Sequence, residues 1–396
     1  MRLLHTADWH LGRTFHGADL SASQARVLDR LIEVAASERP DALIVAGDVF
    51  DRAYPPLEAV ELYDETLKRL ADLRVPVVVT SGNHDSAIRL GVNGRLAESA
   101  GVHLRTRLDR IGEPIHLQSA DSVDGLLVYA VPYLDPPSTA VTLAADEPTH
   151  AGVIGAALAR IRSDRASRPG VPAVVVAHGV VTGGRSTTFN EVATTGAERS
   201  IDVGGVSAVP ARLFAGFDYV ALGHLHRPQN VGDRARYSGA PIAFGFDEAG
   251  DHKSWSLVDL RGEVAPEVTE IETPVARAIA RVRGSLDELL TDASLAEHEG
   301  SWVEATVTDR LRPRHGMDRL RRRFPHVLKL DHRPEGAAID GDGVAQDYRA
   351  RVRGRSESEI VERFLADVRG GIDADDDERA LVTEALEAFE REEALR

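Results

Sequence analysis

The sequence predicts an α/β protein with a layered core of buried strands and helices, then a smaller α/β unit and a helical tail. Three observations carry this. Short runs of Val, Ile and Leu recur with little alternation, helical periodicity fills the gaps between them, and both habits change after residue 270. The runs at residues 3–6, 42–46, 75–80, 126–131, 173–177 and 219–222 suit strands buried on both faces. After the first run, residues 21–37 place Val27, Leu28, Leu31 and Ile32 at helical spacing, and residues 56–73 do so with Leu57, Val60, Leu62, Leu67 and Leu70. Strands alternating with helices imply a layered α/β domain over residues 1–270. From Thr273 the pattern predicts a helix at 275–290, a strand at 302–307, a short basic helix at 317–324 and a strand at 327–330. That is a small α/β appendage over 271–335. A linker at 336–355, Gly-rich over 336–343, leads to amphipathic helices at 357–368 and 377–393, broken by Gly370-Gly371, within a segment 356–396.

The 396 residues are 43% hydrophobic and 28% charged, enough for two or three domains with full cores. Against 63 Asp+Glu stand 47 Lys+Arg, a net charge of −16, which argues against a chain that holds nucleic acid by bulk charge. The distribution weakens that objection. Residues 356–396 carry a net −9, whereas residues 310–333 hold nine Lys/Arg against Asp318 and Asp331, a local +7. Cysteine is absent, so no disulfide, thiolate nucleophile or Cys-ligated zinc can form, and any metal must sit on His, Asp, Glu or Asn. The opening MRLLHTADWH lacks the apolar stretch of about 7–15 residues that a signal peptide needs, and the longest apolar runs fall far short of a membrane span. A soluble, cytoplasmic chain with no membrane partner is expected.

The end of each buried strand carries a polar cluster. These are Asp8-Trp9-His10-Leu11-Gly12, Gly47-Asp48-Val49-Phe50-Asp51, Gly82-Asn83-His84-Asp85, His178-Gly179 and Gly223-His224-Leu225-His226. In open α/β sheets the ligand site lies outside the carboxyl ends of the strands, so five strand ends would converge on one crevice. They bring Asp, Asn and His, a donor set that suits Mn, Fe or Zn, and a carboxylate among them can bridge two ions. Two ions about 3.5–4 Å apart can bind a phosphate, activate a water and stabilise an in-line displacement. In Asp-x-His and His-x-His, residues two apart point the same way on an extended segment, so both reach one site. Any one of these motifs alone reads as a strand-end cap or a turn. Five in succession, each directly after a strand, make the site.

Asp8-x-His10, Gly47-Asp48-x-x-Asp51, Gly82-Asn83-His84-Asp85, His178 and Gly223-His224-x-His226 together resemble the calcineurin-like metallophosphoesterase signature. The wider wording, His5-Thr6-Ala7-Asp8-Trp9-His10-Leu11-Gly12 and Tyr237-Ser238-Gly239-Ala240-Pro241 included, resembles the SbcD family of bacterial double-strand-break repair nuclease subunits. The resemblance implies a layered β-sandwich metallophosphoesterase core flanked by helices, a small α/β capping domain and a C-terminal helical partner-binding segment. It implies two divalent ions, Mn2+ foremost and Mg2+ or another as alternatives. Asp8, His10, Asp48 and His226 would hold one, and Asp48 would bridge to a second held by Asn83, His178 and His224. His84 would protonate the leaving oxygen and Asp85 would tune it, these two being the catalytic candidates; Asp51 is a further supporting residue. The family's chemistry is 3′–5′ double-strand exonuclease and single-strand or hairpin endonuclease cleavage. It is carried out as a homodimer within a heterotetramer, with an SbcC-like coiled-coil ATPase.

Other residues keep plainer readings. His5 reads as a packed histidine, and His16, His103, His116, His150, His252 and His298 as surface residues. Arg185, Ser186 and Thr187 either touch a phosphate backbone or belong to a solvated loop. The basic stretch 310–333 either follows DNA or is a solvated helix face over Phe324, Val327 and Leu328. The tail stripes, Ile360, Val361, Phe364, Leu365 and Val368 and then Leu381, Val382, Leu386 and Phe389, either dock on the chain's own body or enter a partner's groove. No G-x-x-x-x-G-K-[ST] loop occurs, so ATP dependence would come from another chain. The competing function is a free-standing phosphoesterase acting on a small phosphodiester or a phosphoprotein.

Overall fold

A computed structural model describes residues 1–119, 122–183, 208–262, 264–275, 277–335, 355–368 and 373–393, and the chain divides into two units, Met1–Arg277 and Ala278–Arg396. The apolar runs that open the sequence form the middle of two six-stranded sheets. In the first, the order is Glu267–Glu272, Ser254–Asp259, Arg2–Thr6, Ala42–Ala46, Val77–Thr80 and Val102–Arg105. The last four are parallel, and Ser254–Asp259 runs against both its neighbours. In the second, Gln229–Val231, Ala235–Tyr237, Tyr219–Gly223, Ala173–His178, Ser122–Ala130 and Ile115–Ser119 follow one another, again parallel in the middle and antiparallel at both edges.

The two sheets face each other across a core that includes Leu3, Ile44, Val78, Val128, Val174, Val176, Ala221 and Val258. The outer face of the second sheet buries Tyr129, Val175, Val220 and Leu222 against Val153, Ala157, Leu158 and Ile161 of the helix His150–Arg165. On the central strands, therefore, alternate residues face the opposite sheet or the helix layer. Both faces are dry, which is why these strands read as unbroken apolar runs. The predicted helices at 21–37 and 56–73 are Ser21–Glu38 and Leu57–Asp72, and they pack on each other. Register places Thr6 beside Val45, Ala46 beside Thr80 and Gly223 beside His178, so in each sheet the carboxyl ends of the parallel strands come out together.

The second unit carries a three-stranded parallel sheet of Ile279–Gly284, Trp302–Val307 and Val327–His332. Its core includes Val282, Leu286, Leu289, Val303, Ala305, Leu320, Phe324 and Val327. The helix expected over 275–290 is instead the strand Ile279–Gly284 followed by the short helix Leu286–Thr291. Period two wins there, with Ala280 and Val282 buried and Arg281 exposed between them. A capping box of Ser285 and Glu288 then starts the helix. His150 also departs from expectation: it opens a helix with its ring 6.0 Å from that of Tyr133 and is buried, because that helix N-terminus is pressed into the apolar layer. The tail forms helices Glu357–Val368 and Asp376–Glu393 in contact with each other, with Phe364, Leu381 and Phe389 each more than half exposed. Most of the 336–355 link, Gly370-Gly371 and Arg185, Ser186 and Thr187 lie outside the described residues.

Candidate metal centre

The loops that leave the strands are knitted together before any side chain is considered. The amides of Asp8, His10 and Leu11 donate to the carbonyl oxygens of Gly47, Asp48 and Val49 at 3.1, 3.0 and 2.9 Å, so the first two loops run side by side. Gln24 clamps the first from behind: its amide nitrogen donates to the His10 carbonyl at 2.7 Å and its oxygen accepts from the Gly12 amide at 3.2 Å. Asp8, His10, Asp48 and His224 all have positive φ, four of the ten such non-glycine residues described. L-residues seldom adopt that conformation unless the surroundings impose it, and such strain clusters at functional sites. Two glycines are required by closeness. A Cβ on Gly47 would collide with the His178 ring, and one on Gly223 with the Ala46 carbonyl oxygen. The second contact lets the two sheets meet at the site.

Asp48 is central. One carboxylate oxygen accepts from the His84 amide at 2.9 Å, while the other lies 3.4 Å from His178 Nε2, 3.7 Å from His10 Nε2 and 3.9 Å from His84 Nε2. His10 Nε2 and His226 Nε2 face each other at 3.2 Å. Asn83 Oδ1 lies 2.9 Å from His178 Nε2 and 3.1 Å from His224 Nδ1. The Asp8 carboxylate accepts from the His224 amide at 3.0 and 3.1 Å and lies 3.9 Å from His178 Nδ1. Two clusters of donor atoms result, His10–Asp48–His84 and Asp48–His178–His224, sharing Asp48. All seven predicted donors thus belong to one connected constellation, drawn from both sheets. The donors fit divalent cations. Two imidazole Nε2 atoms at 3.2 Å can share at most one proton between them, and a cation satisfies both lone pairs.

Electrostatics prepares the same chemistry. Burial works against the Asp48 charge, yet His178, His10 and His84 hold its carboxyl well below the usual range. Burial likewise opposes the His178 charge, but Asp48 and Asp8 bring that imidazole up to about 9. Burial pushes His10 well below its ordinary value, and burial with His178 nearby takes His224 down to about 3. An ionised Asp48 beside neutral His10 and His224 matches the protonation states that metal ligands need, whereas His178 must give up a proton first.

His84 is buried, with Nδ1 2.7 Å from the Asp51 carbonyl oxygen. Asp85 accepts from three backbone amides, those of Gly82, Val49 and Phe50 at 2.9, 3.1 and 2.9 Å, and so ties the second loop to the third. Burial and then the Asp48 charge push its carboxyl up to about 7. His5 is packed as expected, with Nδ1 2.9 Å from the Tyr219 hydroxyl. Spacing does not reveal Gln24, Phe244, Glu248 or Lys253. The Phe244 ring lies 5.2 Å from His10 and 5.6 Å from His226, and Glu248 and Lys253 sit behind His226. None of them lies in a strand-end motif, and a lone Gln, Phe, Glu or Lys gives no signal.

A family model for calcineurin-like phosphoesterase matches residues 1–228, more than half of the chain. The SbcD subunit of nuclease SbcCD from Bacillus subtilis (strain 168) is 33% identical over an alignment that spans all of both chains. The chain belongs to the calcineurin-like phosphoesterases, in their SbcD branch. A second relative of this phosphoesterase, the corresponding SbcCD nuclease subunit of Staphylococcus epidermidis, is 26% identical over 84% of this chain and 85% of its own. A model described as the type 5 capsule protein repressor C-terminal domain matches residues 275–369 of the phosphoesterase.

Within that second unit the basic stretch is not uniform. Arg323 is half-buried and donates to the carbonyl oxygens of Leu289 and Asp292 at 3.0 and 2.5 Å, with Glu299 at 3.1 Å. Lys329 pairs with Glu304 and Asp331. Arg314, Arg319 and Arg322 are exposed.

Proposed function

We propose that the chain is the metal-dependent DNA nuclease subunit of an ATPase complex with an SbcC-like coiled-coil partner. The convergence of Asp8, His10, Asp48, Asn83, His178, His224 and His226 on one buried centre, in a chain alike along its whole length to a nuclease subunit, carries this reading. Asp8, His10, Asp48 and His226 would hold one ion, and Asp48, Asn83, His178 and His224 the other. The ions, Mn2+ before Mg2+, would polarise the phosphodiester and make a water acidic enough to attack near neutral pH. The chain's own groups do the rest. Asp48 stands between the two donor sets, and Asp85 fixes the loops that carry Asp48 and Asn83. His84, with Nδ1 engaged by the Asp51 carbonyl oxygen, presents Nε2 toward the centre. As the imidazolium it can pass a proton to the leaving oxygen of the strand.

The substrates are double-stranded ends, cut 3′–5′, and single-stranded or hairpin DNA, cut internally. The active form is a homodimer within a heterotetramer in the cytoplasm. Phe364, Leu381 and Phe389 on the tail helices supply the apolar face for the ATPase coiled coil. Residues 356–396 form this partner-binding segment, after the capping domain at 271–335. A purified chain assayed on linear and hairpin DNA with manganese, with and without the partner and ATP, tests the reading. Cleavage that needs manganese, stops with a chelator and is absent in Asp48→Asn is expected. Turnover of small phosphodiesters or phosphoproteins with intact DNA would overturn it in favour of a free-standing phosphoesterase.

A further inference from the structure

Behind His226 lies a buried ion pair that the proposed reaction does not use. Glu248 and Lys253 are 1% and 8% exposed, and Lys253 Nζ donates to Glu248 Oε2 at 2.5 Å. Both reach the same histidine. Glu248 Oε1 lies 3.5 Å from His226 Nδ1 and also accepts from the Phe244 amide at 3.1 Å, while Lys253 Nζ donates to the His226 carbonyl oxygen at 3.0 Å. One ion pair therefore faces the ring of His226 with its acid and holds the backbone of His226 with its base.

Taking a carboxylate and an ammonium out of water is expensive, and their mutual attraction often only balances that loss. Stability alone is a poor reason for such a pair. Its placement supplies a better one. A carboxylate facing Nδ1 favours the ring proton on that nitrogen and turns Nε2, the atom 3.2 Å from His10 Nε2, toward the other donors. Lys253 directly precedes the strand Ser254–Asp259 of the first sheet, whereas His226 follows Tyr219–Gly223 of the second. The pair thus fixes a donor from one sheet to the frame of the other, beside the loop of Asp8 and His10.

We propose that Glu248 and Lys253 are positioning residues that set the ring orientation and the protonated nitrogen of His226, and so the affinity of the ion that His226 shares with His10. This rests on the reading of His226 as a metal donor. Glu248 and Lys253 touch neither substrate nor metal. They act through His226.

The test is a manganese titration of the full chain by calorimetry, with bound metal counted by elemental analysis, on wild type, His226→Ala and the double variant Glu248→Gln/Lys253→Met. The double variant keeps side-chain volume and removes both charges, so the metal-free protein should melt close to wild type. Its affinity for one of two ions should fall about ten- to a hundredfold, with the other ion little changed. Full wild-type affinity for both ions in the folded double variant overturns the proposal. If that variant does not fold, Glu248→Gln alone takes its place: a smaller loss confined to the same ion supports the proposal, and no loss overturns it. His226→Ala separates the two levels. Unchanged affinity there removes His226 from the metal site and overturns the reading and the proposal together. A loss there with an unaltered double variant overturns the positioning role only.

Discussion

Replacing His84 with alanine removes the assigned proton donor and none of the assigned metal donors. General acid catalysis contributes roughly 10²–10⁴ in rate, or about 3–5 kcal/mol at about 1.36 kcal/mol per decade. The size of the effect depends on the leaving group. A DNA sugar oxygen leaves poorly without a proton and should show the full loss. The phenolate of bis-p-nitrophenyl phosphate leaves well unaided and should show much less. The geometry also admits a rival role, since His84 Nε2 lies 3.9 Å from Asp48 Oδ2 and His84 clusters with His10 and Asp48. Single-turnover cleavage of both substrates at saturating manganese, with a metal count on the purified variant, separates the two. Two bound ions with a selective loss on DNA is the expected result. Loss of an ion, or equal losses on both substrates, would refute the acid role.

Gly223→Ala drives a Cβ into the Ala46 carbonyl oxygen, so it should cost roughly 1–3 kcal/mol of stability and weaken manganese binding, both readable by melting with and without metal. Without metal, the charged His178 contributes stability that is fully present below its ordinary value of 6.5 and fades as pH rises through about 9. The metal-free melting temperature should therefore lose that contribution across this window, and His178→Ala should abolish that part of the pH dependence. Neutralising Arg314, Arg319 and Arg322 should flatten the salt dependence of DNA binding, by about 0.9 in log–log slope for each phosphate no longer neutralised. Arg323→Ala should instead lower the melting temperature, because it strips donors from the Leu289 and Asp292 carbonyl oxygens. Deleting residues 356–396 should abolish co-purification with the ATPase and leave basal manganese-dependent cleavage; retained co-purification would return the tail to the chain's own body.

The centre is legible because its donors sit at the ends of strands dry on both faces, where apolar runs are unbroken and each polar cluster stands out. The supporting groups are not legible. Asp85 reads from its motif as a neighbour tuning His84, but its carboxylate accepts from the Gly82, Val49 and Phe50 amides, and the His84 ring meets Asp51 instead. Such pairings are set by how loops fold back, which spacing does not encode. Glu248 and Lys253 reach His226 from more than 20 positions away for the same reason. The stretch 275–290 joins a strand to a helix at Ser285, and a window spanning both shows mixed periodicity. His150 reads as exposed from its residue type alone, and tertiary packing overrides that.

The close approach at Gly223 and Ala46 has a mechanical consequence. Because the donors are shared between two stacked sheets, the sandwich is itself a gauge of donor spacing. Small slips between the sheets, far too slight to unfold the chain, would pull His178 and His224 away from Asp48. Substitutions deep in the inter-sheet core, at Ile44 or Val174 for instance, should thus be felt as weaker metal binding well before they are felt as lost structure. On the proposed reading of these donors, catalytic competence is tied to the alignment of the two layers.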